Sequence, residues 1–172
     1  MKPFAFCPHC ATPLNGAFID GRDRMNCPQC GWIHYINPLP VAVALTVNRH
    51  NELLVIRRAH EPAYNEWALP GGFLEAGERP EEGCLRELFE ETSLEGEING
   101  LIGVWHLESA LYGSLMAVAY RVIAAHERIA INHEVFEAGF YSPNNLPPVR
   151  IPLHRQIIAE SRWPERDLSL TL

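Results

Sequence analysis

Four of the five cysteines fall as Cys7-Pro-His-Cys10 and Cys27-Pro-Gln-Cys30, a C-x2-C-x16-C-x2-C spacing. Each C-x2-C turn aims two thiolates at one point, and two such turns complete the closed tetrahedral set that structural Zn²⁺ takes. A closed set has no open coordination position, so its chemistry is folding free energy for a short segment and not catalysis. Disulfides and a thioredoxin-like redox pair are the rival readings. The start MKPFAFCPHC carries no apolar leader stretch and no βαβ pattern surrounds either pair, which disfavours both. His9 and His34 lie nearby, but four thiolates already suffice. Cys84, the fifth cysteine, sits among apolar helical residues and reads as a buried thiol.

The second group is acidic. In Arg86-Glu-Leu-Phe-Glu-Glu91, Glu87 and Glu91 are four apart and share one helix face, and Glu90 flanks them. Three carboxylates in one small volume repel unless something neutralises them, and hard dications such as Mg²⁺ or Mn²⁺ prefer oxygen ligands of this kind. A bare acidic run is more often a solvated helix face. Here, however, a loop with Gly71, Gly72, Gly77 and Glu78 precedes it, and Glu78 can pair with Arg86 to brace loop against helix. Arg57 and Arg58 could clasp a phosphate, with one of the two pointing elsewhere because strand neighbours face opposite sides. Trp67, Tyr64, Trp105 and Tyr112 could stack on a base, although aromatics at such positions more often fill the core.

These side chains need elements to position them. Val41–Val47 and Leu53–Arg58 read as two strands joined by a short polar turn. Met116, Val118, Tyr120 and Val122 alternate with Ala117, Ala119 and Arg121, the period of a half-buried strand, and a further strand is expected within Leu101–Leu107. Pro80 suits the first turn of a helix running through Glu91, with Leu85, Leu88 and Phe89 as its apolar stripe. A second helix follows Pro152, with Leu153, Ile157 and Ile158 inward, and ends at Trp163-Pro164. The order of elements predicts an α+β chain, a mixed sheet between helices in an α/β/α sandwich. Residues 1–36 are too few for a large core and form a satellite; Asn37-Pro-Leu-Pro40 is a stiff joint into a main domain spanning 37–172.

Composition bounds the partners. The 172 residues are 47% apolar and 20% charged, which excludes disorder, collagen and a solenoid. No run of about 18 apolar residues occurs, so a soluble, cytoplasmic protein without a membrane partner is expected. The net charge is -7, and Glu75 to Glu97 holds nine glutamates against Arg79 and Arg86, so this window accounts for the whole excess. Such a chain lacks the basic footprint of a dedicated binder of long nucleic acid.

The stretch from Gly72 through Glu78, Arg86-Glu87, Leu88 and Glu90-Glu91 to Leu94 resembles the Nudix box, G-x5-E-x7-R-E-U-x-E-E-x-G-U with U apolar, at all but one position. The exception is Ser93, where the box has glycine. That residue ends the helix, where glycine often adopts a left-handed conformation; serine either adopts it at a cost of about 1–2 kcal/mol or ends the helix differently. The lead-in Trp67-Ala-Leu-Pro-Gly-Gly72 is similar to the family's own, and a zinc ribbon before the domain resembles NADH pyrophosphatases and the ribbon-bearing FAD or ADP-ribose pyrophosphatases. The resemblance implies a Nudix fold preceded by a zinc ribbon. It also implies catalytic Mg²⁺ or Mn²⁺ held chiefly by Glu87 and Glu91, with Glu90 assisting and the Gly71 carbonyl as a further ligand. In His133-Glu134-Val-Phe-Glu137, Glu134 resembles a downstream glutamate that completes the metal site or positions water, with Glu137 as the competing choice.

The implied activity is metal-dependent hydrolysis of the diphosphate in a small nucleotide such as ADP-ribose or FAD. Family members are commonly homodimers. The SQPWPFPxS segment of NADH pyrophosphatases is absent, Leu101-Ile-Gly-Val-Trp-His-Leu107 standing in that neighbourhood, which disfavours NADH pyrophosphatase and RNA decapping activities. A nucleotide-sensing module whose ribbon contacts nucleic acid or protein is the alternative from another class; binding alone does not require the full set of carboxylates.

Overall fold

The structure is a computed structural model that describes residues 4–164. The chain divides after Pro38, inside the joint expected at Asn37–Pro40, into two compact units. The first carries a three-stranded antiparallel sheet of β1 (Asn15–Ile19), β2 (Arg22–Asn26) and β3 (Ile33–His34) in that order. Cys7, Leu14 and Cys27 are buried in it, with Met25 and Trp32 packed against them. This core is small for a unit of its own.

The second unit contains β4 (Leu39–Val47), β5 (Leu53–Arg58), β6 (Trp67–Ala68), β7 (Gly71–Phe73), α1 (Pro80–Thr92), β8 (Gly96–Ser109), β9 (Gly113–Ala124), β10 (Val135–Tyr141) and α2 (Pro152–Glu160). Its sheet runs β10-β5-β4-β9-β8, with β6 on β5 and β7 on β4. The β4–β9 pair is parallel and the others are antiparallel, so the sheet is mixed.

Alternation along β4 shows why helices cover both faces. Ala42 and Ala44 pack with Cys84 and Leu88 of α1, and with Val118, Tyr120 and Val122 of β9. Val43, Leu45 and Val47 pack on the other side with Ile157 of α2 and with Trp163. The result is the α/β/α sandwich that the resemblance implies. Burying a side chain such as Leu88 completely contributes roughly 1.5–3 kcal/mol to holding α1 in place.

Two local expectations need correction. β9 is not half-buried: Ala117 and Ala119 are as buried as Val118, Tyr120 and Val122, because the strand lies inside the sheet with a helix over each face. Periodicity fails where both faces are covered. On α1, Leu88 is buried and Leu85 packs against the same core as expected, but Phe89 is 51% exposed and does not belong to the inward stripe, which also takes in Gly83, Cys84, Glu91 and Thr92. Gly83 faces inward because a side chain there would run into Leu74. The stripe of α2 is as expected, with Ile157 fully buried and Leu153 and Ile158 packed alongside. No described helix is long and apolar enough to cross a membrane.

Candidate active site

In the ribbon, the two C-x2-C turns share one geometry. Cys7 C=O accepts from Ala11 N–H at 2.8 Å and Cys27 C=O from Gly31 N–H at 3.0 Å. A backbone N–H lies 3.4 Å from the sulfur in each turn, that of His9 on Cys7 and that of Cys30 on Cys27. Ala11 and Gly31, at matching places, both have positive φ. All four sulfurs lie within 4.8 Å of one another, with separations of 3.5, 3.5 and 3.7 Å for the close pairs. A zinc ion at about 2.3 Å from four sulfurs would hold them about 3.8 Å apart, so the donor set fits Zn²⁺. His34 stacks on Trp32 at 5.7 Å, and neither it nor His9 belongs to the cluster.

The second unit has a cavity of about 690 Å³, lined by the N-terminal half of β4, the Gly71–Phe73 strand, α1, the β8–β9 turn and the start of α2. Helical geometry delivers three carboxylates to it. Glu87, Glu90 and Glu91 all line the cavity, as does Glu134 from the segment before β10. Glu91 is not a surface residue: it is only 3% exposed, and Oε2 accepts the backbone N–H of Gly71 at 3.0 Å. Burial pushes its carboxyl up to about 8, and Glu87 and Glu134 add to the rise, against the opposing pull of the Gly71 N–H and the Arg58 charge. Glu87 is also raised, first by burial, although Arg86 opposes the shift.

Arg86 ties the loop to the helix. It grips Glu78 bidentately, Nε to Oε1 at 2.7 Å and Nη2 to Oε2 at 3.0 Å, and also donates to the Phe73 carbonyl at 2.9 Å. This fork, with the Glu75 N–H, holds the Glu78 carboxyl down to about 2. Nη1 donates to Glu87 Oε1 at 2.8 Å and to Glu90 Oε2 at 3.1 Å. Glu87 Oε2 and Glu91 Oε1 then have no hydrogen-bond partner among the described residues. A buried and a half-buried carboxylate, each with one oxygen tied and one free, are a donor set that fits a hard dication.

The glycines matter through close approach. A Cβ on Gly71 (φ 154°) would strike the carbonyl of Ala42 on β4. A Cβ on Gly72 would stand 2.5 Å from Glu87 Oε2. At Ser93 the chain takes φ 56° and ψ 19°, the left-handed conformation expected of the glycine it replaces, and its N–H still donates to Phe89 C=O at 2.7 Å.

The two arginines part company. Arg58 lines the cavity, with Nε on the Pro62 carbonyl at 3.1 Å. Arg57 does not: it pairs with Glu137 at 3.2 Å and with Asn65 Oδ1 at 2.9 Å. Glu137, so occupied, is likewise outside the cavity lining, whereas Glu134 is part of it. Of the aromatic candidates, Tyr112 alone lines the cavity, edge-on to Phe73 with ring centroids 4.9 Å apart. Trp67 and Trp105 pack in the core cluster under α2, and Tyr64 stacks edge-on against Phe136.

Sequence reasoning missed Phe73 and His154, which both line the cavity. His154 follows the inward Leu153 and precedes Ile158 by four residues, so helical spacing alone placed it on the inner face.

A buried acidic helix closed by a glycine loop on an α/β/α sheet defines a hydrolase of the Nudix class. The NUDIX domain family matches residues 37–161 and the Nudix N-terminal zinc ribbon family matches residues 5–36, and the chain belongs to the Nudix family. An ADP-ribose pyrophosphatase of Methanocaldococcus jannaschii is 33% identical over 131 residues, covering 75% of this chain and 76% of the relative. An NAD-capped RNA hydrolase NudC of Chromobacterium violaceum is 32% identical over 155 residues, 88% of this chain but 56% of that longer enzyme. Among solved structures, a NUDIX hydrolase from Nitrosomonas europaea superposes with a TM-score of 0.80 at 25% identity, covering 92% of each chain. The NUDIX domain of Shewanella oneidensis NrtR, solved in complex with ADP ribose, superposes over 74% of this chain and 88% of that one with a TM-score of 0.64 at 22% identity, a likeness of fold.

Proposed function

We propose that this Nudix hydrolase splits the diphosphate of a small nucleoside diphosphate derivative, with ADP-ribose as the leading substrate. The reading rests on one observation above all, the gathering of Glu87, Glu90, Glu91 and Glu134 with Arg58 around a single cavity. The similarity to an ADP-ribose pyrophosphatase over three quarters of both chains supports the substrate class.

Glu87 and Glu91 are the principal ligands for Mg²⁺ or Mn²⁺, Glu90 and Glu134 assist, and the Gly71 carbonyl is a further donor. Bound dications neutralise the diphosphate oxygens and make coordinated water more acidic. Arg58 offers a guanidinium to the diphosphate within the same cavity. Arg86 has no donor to spare for substrate, because it keeps Glu87 and Glu90 in place while closing the loop through Glu78. The four thiolates of Cys7, Cys10, Cys27 and Cys30 hold a structural zinc, with 1–36 as the ribbon and 37–172 as the hydrolase domain.

A second reading, hydrolysis of NADH or of an NAD-capped RNA end, draws support from the NudC relative, whose match covers 88% of this chain. This chain, however, lacks the SQPWPFPxS segment. A panel of ADP-ribose, FAD, NADH, diadenosine polyphosphates and capped RNA, with Mg²⁺ and with Mn²⁺ and products resolved by mass, separates the two. ADP-ribose turned over to AMP and ribose phosphate fastest is the expected result. Preference for NADH or capped RNA would favour the second reading, and inactivity on every substrate would leave a nucleotide-sensing module.

A further inference from the structure

His154 lies on the first turn of α2 and its ring reaches the cavity. The backbone N–H of Leu69 donates to Nδ1 at 2.8 Å. A ring nitrogen that accepts must carry a lone pair, so the hydrogen is on Nε2 and the imidazole is neutral. Burial and then the Arg58 charge push the group down to about 4, which keeps it neutral at physiological pH. Nε2–H has no hydrogen-bond partner among the described residues. Leu69 is two residues from Gly71, whose N–H holds Glu91, so the ring is tethered to the backbone segment that also carries the carboxylate site.

The walls of this cavity are rich in acceptors. Glu75, Glu87, Glu90, Glu91 and Glu134 offer oxygens, and beside them the half-buried His154 ring holds a donor that no described residue engages, open to an acceptor that a ligand brings. Arg58 lines the same cavity, and its charge acts on both His154 and Glu91. We infer that His154 is a substrate-binding residue whose Nε2–H donates to a non-bridging phosphate oxygen of the diphosphate, beside Arg58. The inference rests on the proposed function for the identity of the diphosphate. The ring thereby has two tasks, fixing the Leu69–Gly71 segment through Nδ1 and gripping substrate through Nε2.

Two substitutions separate those tasks in the full-length, zinc-loaded chain. In His154→Asn, Oδ1 takes the place of Nδ1 and keeps the Leu69 bond, while the distal donor is lost. In His154→Gln the amide NH₂ reaches the place of Nε2. The readouts are affinity for inorganic pyrophosphate by calorimetry with Mg²⁺, KM and kcat on ADP-ribose, and melting temperature. Loss of a hydrogen bond to a charged group predicts pyrophosphate affinity about tenfold weaker in His154→Asn, with KM raised alike, kcat within about threefold and melting unchanged. His154→Gln regains part of the affinity.

Wild-type pyrophosphate affinity in His154→Asn overturns the inference, as does loss of ADP-ribose binding with pyrophosphate binding intact, which would move the contact to the nucleoside. A wild-type protein that hydrolyses no substrate defeats the proposed function instead, and the pyrophosphate comparison still decides the role of His154. Absence of pyrophosphate binding by the wild type overturns the inference too.

Discussion

Glu91 Oε2 accepts the backbone N–H of Gly71 at 3.0 Å, joining the last turn of α1 to the strand paired with β4. The bond lets a carboxyl sit almost out of water, and burial still raises it to about 8 from the ordinary glutamate value of 4.5. The folded metal-free protein therefore keeps a proton on Glu91 that the unfolded chain has lost. The contribution of Glu91 to stability is largest below about 4.5 and declines as pH rises from there through about 8. A dication must displace that proton. Affinity for Mg²⁺ should climb between pH 6 and 8 and level off above it, with protons released on binding. Calorimetry in buffers of different ionisation enthalpy measures both, and a flat affinity over that range would contradict the proposed ligand.

Glu91→Gln follows from the same pair. The neutral amide keeps an oxygen for the Gly71 N–H and removes the charge that burial disfavours, so metal-free melting at pH 8 should be no lower than wild type. Hydrolysis should fall by at least about a hundredfold, as expected when a ligand and its charge are both lost. Melting curves and single-turnover rates on one preparation check the two halves independently. Normal turnover would remove Glu91 from the metal site.

Gly72→Ala tests close approach. The new Cβ meets the carboxylate end of Glu87, which can swing aside, whereas at Gly71 it would meet the rigid carbonyl of Ala42. Gly72→Ala should fold normally and lose about 10- to 100-fold in metal affinity. Gly71→Ala should instead lose stability by about 2 kcal/mol or more. A thermal melt beside a Mg²⁺ titration distinguishes them; a Gly72→Ala protein with unchanged affinity would show that the Glu87 position is not critical.

How far the sequence was legible depended on the range of the interaction. The thiolate cluster and the Glu87, Glu90 and Glu91 face were readable because turn geometry and helical period fix them within a few residues. Glu78 with Arg86 was readable for the same reason. Choosing Arg58 over Arg57 needed the pairing of β5 with β10, which sets Glu137 against Arg57. Phe89 misled because a helix that offers its inward face to a carboxylate and a threonine leaves a phenylalanine outside. The inner-face position of His154 was within reach of helical spacing, but its contact with Leu69, 85 residues away in sequence, was not.

Ser93 offers a test of what the departure from the box costs. Its φ of 56° with a Cβ in place is strained, while its N–H still closes the end of α1 on Phe89 C=O. Glycine enters this conformation without the penalty, at the expense of a looser unfolded chain, so Ser93→Gly should stabilise by about 1 kcal/mol net. In a chain of this size that raises the melting temperature by about 2–4 °C. The residue contributes no ligand, so kcat on ADP-ribose should be unchanged. If melting falls instead, the serine side chain stabilises the end of α1 by more than the strain costs, and the departure from glycine is an adaptation of this helix end.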